Sequence, residues 1–426
     1  MRIVIFNIDY PVFIAERYLA RPDLFESSYA EQMADRNASL FGVGDFYSRN
    51  FIAHGHDAIE IHVNNPWMQY AWMREHGLDI SEPKPPQIFA REHGAKIRTN
   101  PSQAAPSGQR AAAASVPGGN PASFSRKLRT AARPALRILM KPFNRPLHRL
   151  RMLKLKLWYR KILRAQIAHF RPDVILNQDL AYLRQPAVRQ FKKPGRLLLG
   201  QIASMIPTNA RYDVYDLVIS SLPNQVEWFR KQGVHAELNR LAFDPSVLDH
   251  LGPPPPRDIP LSFVGSLSPD HVSRIAFLEY LATRTPLKVW GNGIERLPRS
   301  SPLHACYQGE AWGRDMYAIL RRSRVTLNFH IDLSEGWANN MRLYEATGVG
   351  TLLLTDMKRN LGEIFTPGEH VVTYENAEDC LRQIERLLAD DVLREKIAAA
   401  GQRHTLAVHS YFARTGEILD LIKALR

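Results

Sequence analysis

Short apolar strands alternate with helical stretches along most of the chain, and this rhythm constrains the fold more than any other feature. "RIVIFN" (2–7) and "DAIEIHV" (57–63) read as strands, with helical stretches over 29–42 and 45–55 between them. A helix over 66–77 follows and ends at Gly77. Strand–helix–strand succession predicts a parallel sheet. The rhythm resumes in "DVILNQD" (173–179), "RLLLGQI" (196–202), "DLVISS" (216–221) and "HAELNR" (235–240). A stiff proline-rich segment, "GPPPPRD" (252–258), then separates a second set. That set comprises strands 261–266, 287–292, 324–330, 351–356 and 370–374. Helices are expected over 270–283, 312–322 and about 339–347, and over most of 376–424.

A chain of 426 residues has length for two cores. The expected organisation is a first domain over 1–251, a linker over 252–258 and a second domain over 259–404. A last helix over 405–426 is expected to pack back on the first domain. No apolar run reaches the length of a membrane-spanning helix. The apolar part of "MRIVIFNIDYP" is too short for a signal-peptide core. Two cysteines, Cys306 and Cys380, cannot form a disulfide framework. A cytoplasmic protein is expected.

The formal charge of +14 is unevenly placed. Residues 93–172 contain no Asp or Glu and hold 18 of the 56 Lys and Arg, so the rest has 38 basic and 42 acidic residues. Overlapping the start of this interval, 82–125 marks a break in composition. It is rich in Ala, Ser, Gly and Pro and reads as a disordered insertion in the first domain. Residues 126–171 are basic, with a helix expected from about Pro146 to Phe170. Three readings stand for this segment. It is a solvated structural helix, or it docks on an anionic membrane surface with Trp158 and Tyr159 at the interface, on the inner face of the membrane. Nucleic-acid binding is the third; no recognised nucleic-acid module accompanies the segment, so no nucleic-acid partner is expected.

In open parallel sheets ligands bind beyond the carboxyl ends of the strands. In the second domain these ends carry Gly265 and Ser266, the "GNG" containing Asn292, and the "NFH" ending at His330. Gly265 and Ser266 next to a helix start make a phosphate cradle or a plain turn. No GxGxxG or Walker A pattern is present. The stretch "NNMRLYEATGVGTLLLTD" (339–356) is more specific. A helix starting near Asn339 directs free N–H groups above the sheet, and Arg342 and Glu345 share one of its faces. The arginine fork suits a diphosphate and the carboxylate suits vicinal sugar hydroxyls, or the two form a surface ion pair of little worth.

With "FVGS", "NFH", "NLGEIFTPGEHVVTY" and "CLRQIERLL", this stretch resembles the C-terminal domain of group 1 glycosyltransferases. These have two Rossmann-like domains facing across a cleft, the GT-B architecture, and the nearest branch is the CgeB-like one. The resemblance runs from about 261 to 415 and implies an α/β fold with a nucleotide-sugar donor held by the second domain. It implies that amides at this helix start, such as Asn340, and nearby basic groups, such as Arg342, hold the nucleotide diphosphate, and that Glu345 binds the ribose. Gly265, Ser266, Arg274 and Asn292 are expected to complete the donor contacts. His330 would touch the donor sugar or a phosphate, or serve as a strand-end histidine; Asn328 is expected to be structural. Many retaining members space two glutamates by seven residues. Here nine lie between Glu335 and Glu345.

A transferase needs an acceptor, here a glycan, lipid-linked glycan or protein. An inverting one also needs a base near the acceptor hydroxyl. Asp9 and Asp179, at strand carboxyl ends, lead for that role, with His54 and His56 behind them; turn-forming and capping roles are the alternatives. No metal-ligand spacing or D-x-D triplet is present, so metal-independent phosphate stabilisation and no cofactor are expected. A nucleotide-sugar epimerase and a non-catalytic scaffold binding membrane or glycan are the competing functions.

Overall fold

The computed structural model describes residues 1–80, 157–183, 185–268, 272–330 and 335–426. The expected insertion (82–125) and the start of the basic helix lie outside them. By density of contacts the chain forms two units. One comprises Met1–Ile8, Ala30–His62 and His169–Arg426, and the other Asp9–Tyr29 and Val63–Ala168.

The larger unit holds two parallel sheets. The first has six strands: β1 (Arg2–Asn7), β2 (Asp57–His62), β3 (Val174–Asn177), β4 (Leu197–Ile202), β5 (Leu217–Ser220) and β6 (Ala236–Leu238). The second has five: β7 (Ile259–Val264), β8 (Leu287–Trp290), β9 (Ser323–Asn328), β10 (Leu352–Asp356) and β11 (Val372–Tyr374). Spatial order is β2-β1-β3-β4-β5-β6 in the first and β11-β10-β9-β7-β8 in the second. All pairings are parallel, with registers such as Val4↔Ile59 and Leu354↔Leu327. Central strands covered on both faces read as unbroken apolar runs. β3 (VILN) and β10 (LLLTD) are buried at every position.

Both sheets place their first strand between the second and the third. Strand order reverses there, between β1 and β3 and between β7 and β9, and doubly wound folds bind ligands at such switch points. Helices Gly313–Arg322 and Met341–Gly348 carry the chain from β8 to β9 and from β9 to β10. The C-terminal helix Tyr411–Ala424 meets the helix Phe46–Ala53, with Tyr411 packed on Phe46 and Tyr47 at 5.2 and 5.1 Å between ring centroids.

The smaller unit contains helices Pro11–Ala20 and Pro66–Glu75, with helical residues up to 168. Tyr18 stacks on Trp67 at 4.2 Å. Trp158 and Tyr159 are buried with Trp72, Met73 and Ile162. This corrects one expectation: two rings inside a core cannot sit at a bilayer interface. Their partners on Pro66–Glu75 are distant in sequence. Arg160, Lys161 and Arg164 keep to the exposed face of the same helix.

Candidate functional site

The carboxyl ends of β7, β9 and β10 meet at the second switch point. The chain leaving β7 runs beside the chain leaving β8: Gly265 N–H donates to Trp290 C=O at 2.9 Å, and Leu267 N–H to Asn292 C=O at 2.8 Å. The approach is so close that a Cβ on Gly291 would lie 1.8 Å from Gly265 O. This explains the "GNG": a side chain at 291 would separate the two loops. Asn292 joins the site through its carbonyl, and its side chain is exposed.

Arg274, 6% exposed, ties two loops together. It donates from Nη1 to Ser266 O at 3.2 Å and from Nη2 to Phe329 O at 3.0 Å. Ser266 Oγ accepts from Ser268 N–H at 3.3 Å, shaping its own turn.

The helix Met341–Gly348 starts at Asn340, whose Oδ1 accepts from Arg342 N–H at 2.9 Å as an N-cap. Asn340 Nδ2 donates to Asn328 Oδ1 at 2.9 Å, which fixes the helix start to the end of β9. Asn328 is a structural hub: Nδ2 donates to Thr355 Oγ1 at 3.0 Å, and its carbonyl accepts from Tyr374 OH at 2.7 Å. Behind the cap, Asn360 Oδ1 accepts from Ala338 N–H at 2.6 Å.

Arg342 reaches across to β7, donating from Nη2 to Val264 O at 3.1 Å. Its Nη1 lies 2.8 Å from Glu345 Oε2, an ion pair too oblique to be a hydrogen bond. Both side chains are nearly buried, at 11% and 10% exposure, so this is not the solvated pair that the spacing alone suggests. Nε and Nη1 of Arg342 have no hydrogen-bond partner among the described residues. Burial pushes the Glu345 carboxyl up, against the pull of Arg342.

His330 is buried two residues beyond β9. Its Nδ1 lies 2.6 Å from Asp356 Oδ1, while Nε2 has no partner among the described residues. Lys358 Nζ lies 2.9 Å from Asp356 Oδ2. Burial acts to raise the Asp356 carboxyl. The hydrogen bond from His330, with the hydrogen bond and charge of Lys358 behind it, holds it below the usual carboxylate range.

The first-domain candidates have local surroundings of their own. Asp179 Oδ1 accepts from Ala181 and Tyr182 N–H at 2.8 and 2.9 Å; residues 180–182 form a turn, so Asp179 shapes a turn and not the helix start expected of it. Asp9 belongs to the smaller unit and is 1% exposed, its backbone paired both ways with the Asn64 side chain. His54 stacks on Phe412 at 3.9 Å, and His56 lies beside the Met1 amino group at 3.3 Å.

Comparison with solved structures gives the architecture. A glycosyltransferase from Rickettsia africae superposes with a TM-score of 0.50 at 12% identity, covering 100% of this chain and 98% of its own. The fold is GT-B. Residues 274–420 match the family described as glycosyl transferase-like, a span that takes in β8 to β11 and not β7. Two further structures overlap over part of the chain. Sucrose-phosphate synthase from Thermosynechococcus elongatus has 14% identity and a TM-score of 0.45, covering 63% of this chain and 77% of its own. Anabaena HepE, in complex with UDP and glucose, has 14% identity and a TM-score of 0.46, covering 61% and 79%. No curated protein matches the chain.

Proposed function

We propose that the chain is a glycosyltransferase that moves a sugar from a nucleotide-diphosphate donor to a glycan, lipid-linked glycan or protein acceptor. The observation that carries this reading is the nearly buried Arg342, whose Nε and Nη1 have no hydrogen-bond partner among the described residues, beside the N-terminus of Met341–Gly348 at the switch point of the second sheet. A helix N-terminus and a guanidinium fork both favour phosphate oxygens. The family match over 274–420 supports it, because the match contains Arg274, His330, Arg342 and Glu345. In this reading the second domain (259–404) holds the donor and the first (1–251) the acceptor. Glu345 takes the ribose hydroxyls, and Arg342 meets the diphosphate without a metal. Exposed Arg160, Lys161 and Arg164 suit an anionic membrane surface, which binding to anionic but not neutral vesicles tests.

A thermal-shift screen with UDP, GDP, ADP and dTDP tests the donor site. At least one should raise the melting temperature at millimolar concentration, with EDTA making no difference. No shift with any of the four removes the donor-site reading. Transfer assays with the matching nucleotide sugars then separate a transferase from an epimerase, which would convert the donor without acceptor.

A further inference from the structure

His330 and Asp356 stand on neighbouring strand ends of the second sheet, 26 residues apart in the chain. A carboxylate can only accept, so the 2.6 Å contact to Asp356 places the imidazole proton on Nδ1. Asn328 Nδ2 lies farther from that nitrogen, at 3.5 Å, so the shorter contact to the carboxylate sets the proton's place. Asp356 is itself held from three sides. His330 N–H donates to its two oxygens at 3.1 and 3.3 Å, Thr355 Oγ1 donates to Oδ1 at 3.3 Å, and Lys358 pairs with Oδ2 at 2.9 Å. A side chain fixed this firmly orients the ring it contacts, as a carboxylate does behind a working histidine.

In the neutral ring Nε2 is then a bare lone pair, buried and without a hydrogen-bond partner among the described residues. A buried acceptor in that state is unfavourable until a donor arrives. Ionised phosphate oxygens carry no proton to give it, whereas sugar hydroxyls do. We infer that Asp356 is a positioning residue that holds His330 in the Nδ1-protonated form, so that Nε2 accepts a hydroxyl of the transferred sugar. The inference rests on the donor-site reading above and adds to it: Arg342 and the helix N-terminus take the diphosphate, and the His330–Asp356 pair recognises the sugar.

The test combines tautomer and binding measurements on the full chain. Long-range proton–nitrogen spectra of histidine-labelled protein should show His330 protonated on Nδ1 only, and Asp356→Asn should disturb that state. Binding is compared for UDP-glucose, GDP-mannose, ADP-glucose and dTDP-glucose and for the corresponding diphosphates. Asp356→Asn and His330→Gln should each weaken the bound nucleotide sugar about five- to tenfold, as loss of one hydrogen bond does, and leave the diphosphate unchanged. The double variant should lose no more than either single one, because Asp356 acts through His330. If Asp356→Asn fails to fold, the wild-type tautomer and His330→Gln carry the test. A wild-type ring protonated on Nε2, equal loss for sugar and diphosphate forms, or additive losses overturn the inference and leave the donor site standing. If the wild-type protein binds none of the eight nucleotides, both the inference and the donor-site reading fall.

Discussion

At the scale of single residues, burial changes what Arg342 and Glu345 mean. An exposed pair at this spacing contributes little. A nearly dry pair is different, because removing one partner strands the other's charge. If Glu345 accepts ribose hydroxyls, Glu345→Gln keeps its size and loses its charge. Nucleotide affinity should then fall by about 1.5–3 kcal/mol in calorimetric titration, the range for a hydrogen bond to a charged group. Unchanged affinity with a folded variant would leave Glu345 as the structural partner of Arg342. The sequence made this pair legible because the spacing lies within one helix. It did not reveal Asp356, Lys358 or Asn360. Asp356 gains its meaning from His330 only once β10 lies beside β9, with Thr355 opposite Asn328. Asn360 likewise acts on Ala338 across two loops. The only available signal was that Asp356 is polar at a strand carboxyl end.

At the scale of elements, the two glycines closing Met341–Gly348 do different work. Gly350 has φ +82°, a left-handed conformation that ends the helix. Gly348 has no such need; a Cβ there would lie 2.3–2.6 Å from atoms of the Phe243 ring. Gly348→Ala should therefore overpack a buried contact and destabilise the fold by about 1–3 kcal/mol, readable as a lower denaturation midpoint. Gly362→Ala, with nothing within 4 Å of its Cβ, is the control. Equal midpoints for the two variants would show that Phe243 yields. Strands were the most legible elements, since β-branched and leucine runs such as "VILN" and "TLLL" mark buried strands. Helices Pro11–Ala20, Pro223–Lys231 and Ser246–Leu251 were not expected. Each starts at or next to a proline, which serves there as a first-turn residue, or in Ser246–Leu251 as the N-cap, although it reads as a break in isolation. Trp158 was misread for a related reason: cations share its helix, and the rings that cover it come from Pro66–Glu75.

At the scale of the whole molecule, the chain returns after the second sheet to the segment that follows the first. Phe243 N–H donates to His409 C=O at 2.9 Å, and Tyr411 N–H to Phe243 C=O at 3.1 Å. His409 is buried at this junction, with Nε2 donating to Ile364 O at 2.8 Å and Nδ1 accepting from Arg414 Nη2 at 2.7 Å. A ring that accepts from a guanidinium has no place for a second proton. Burial first, then the charges of Arg414, His404 and Arg240, against the Ile364 carbonyl, bring its pKa down from 6.5 to about 4. The unfolded chain therefore binds a proton that the folded one refuses between those values. Stability from this group is complete above pH 6.5 and is lost as pH falls toward 4, about 2 kcal/mol of it by pH 5. Glu60 works in the opposite sense. Burial raises its carboxyl to about 8, so its contribution declines as pH rises through 4.5 to 8, and a wild-type profile alone mixes the two. His409→Gln can keep one donor and one acceptor without titrating. Denaturation midpoints measured from pH 7.5 to pH 5 should fall more steeply for the wild type than for this variant. Parallel slopes would mean that the junction stays closed with His409 protonated, and that the acid sensitivity of the chain arises elsewhere.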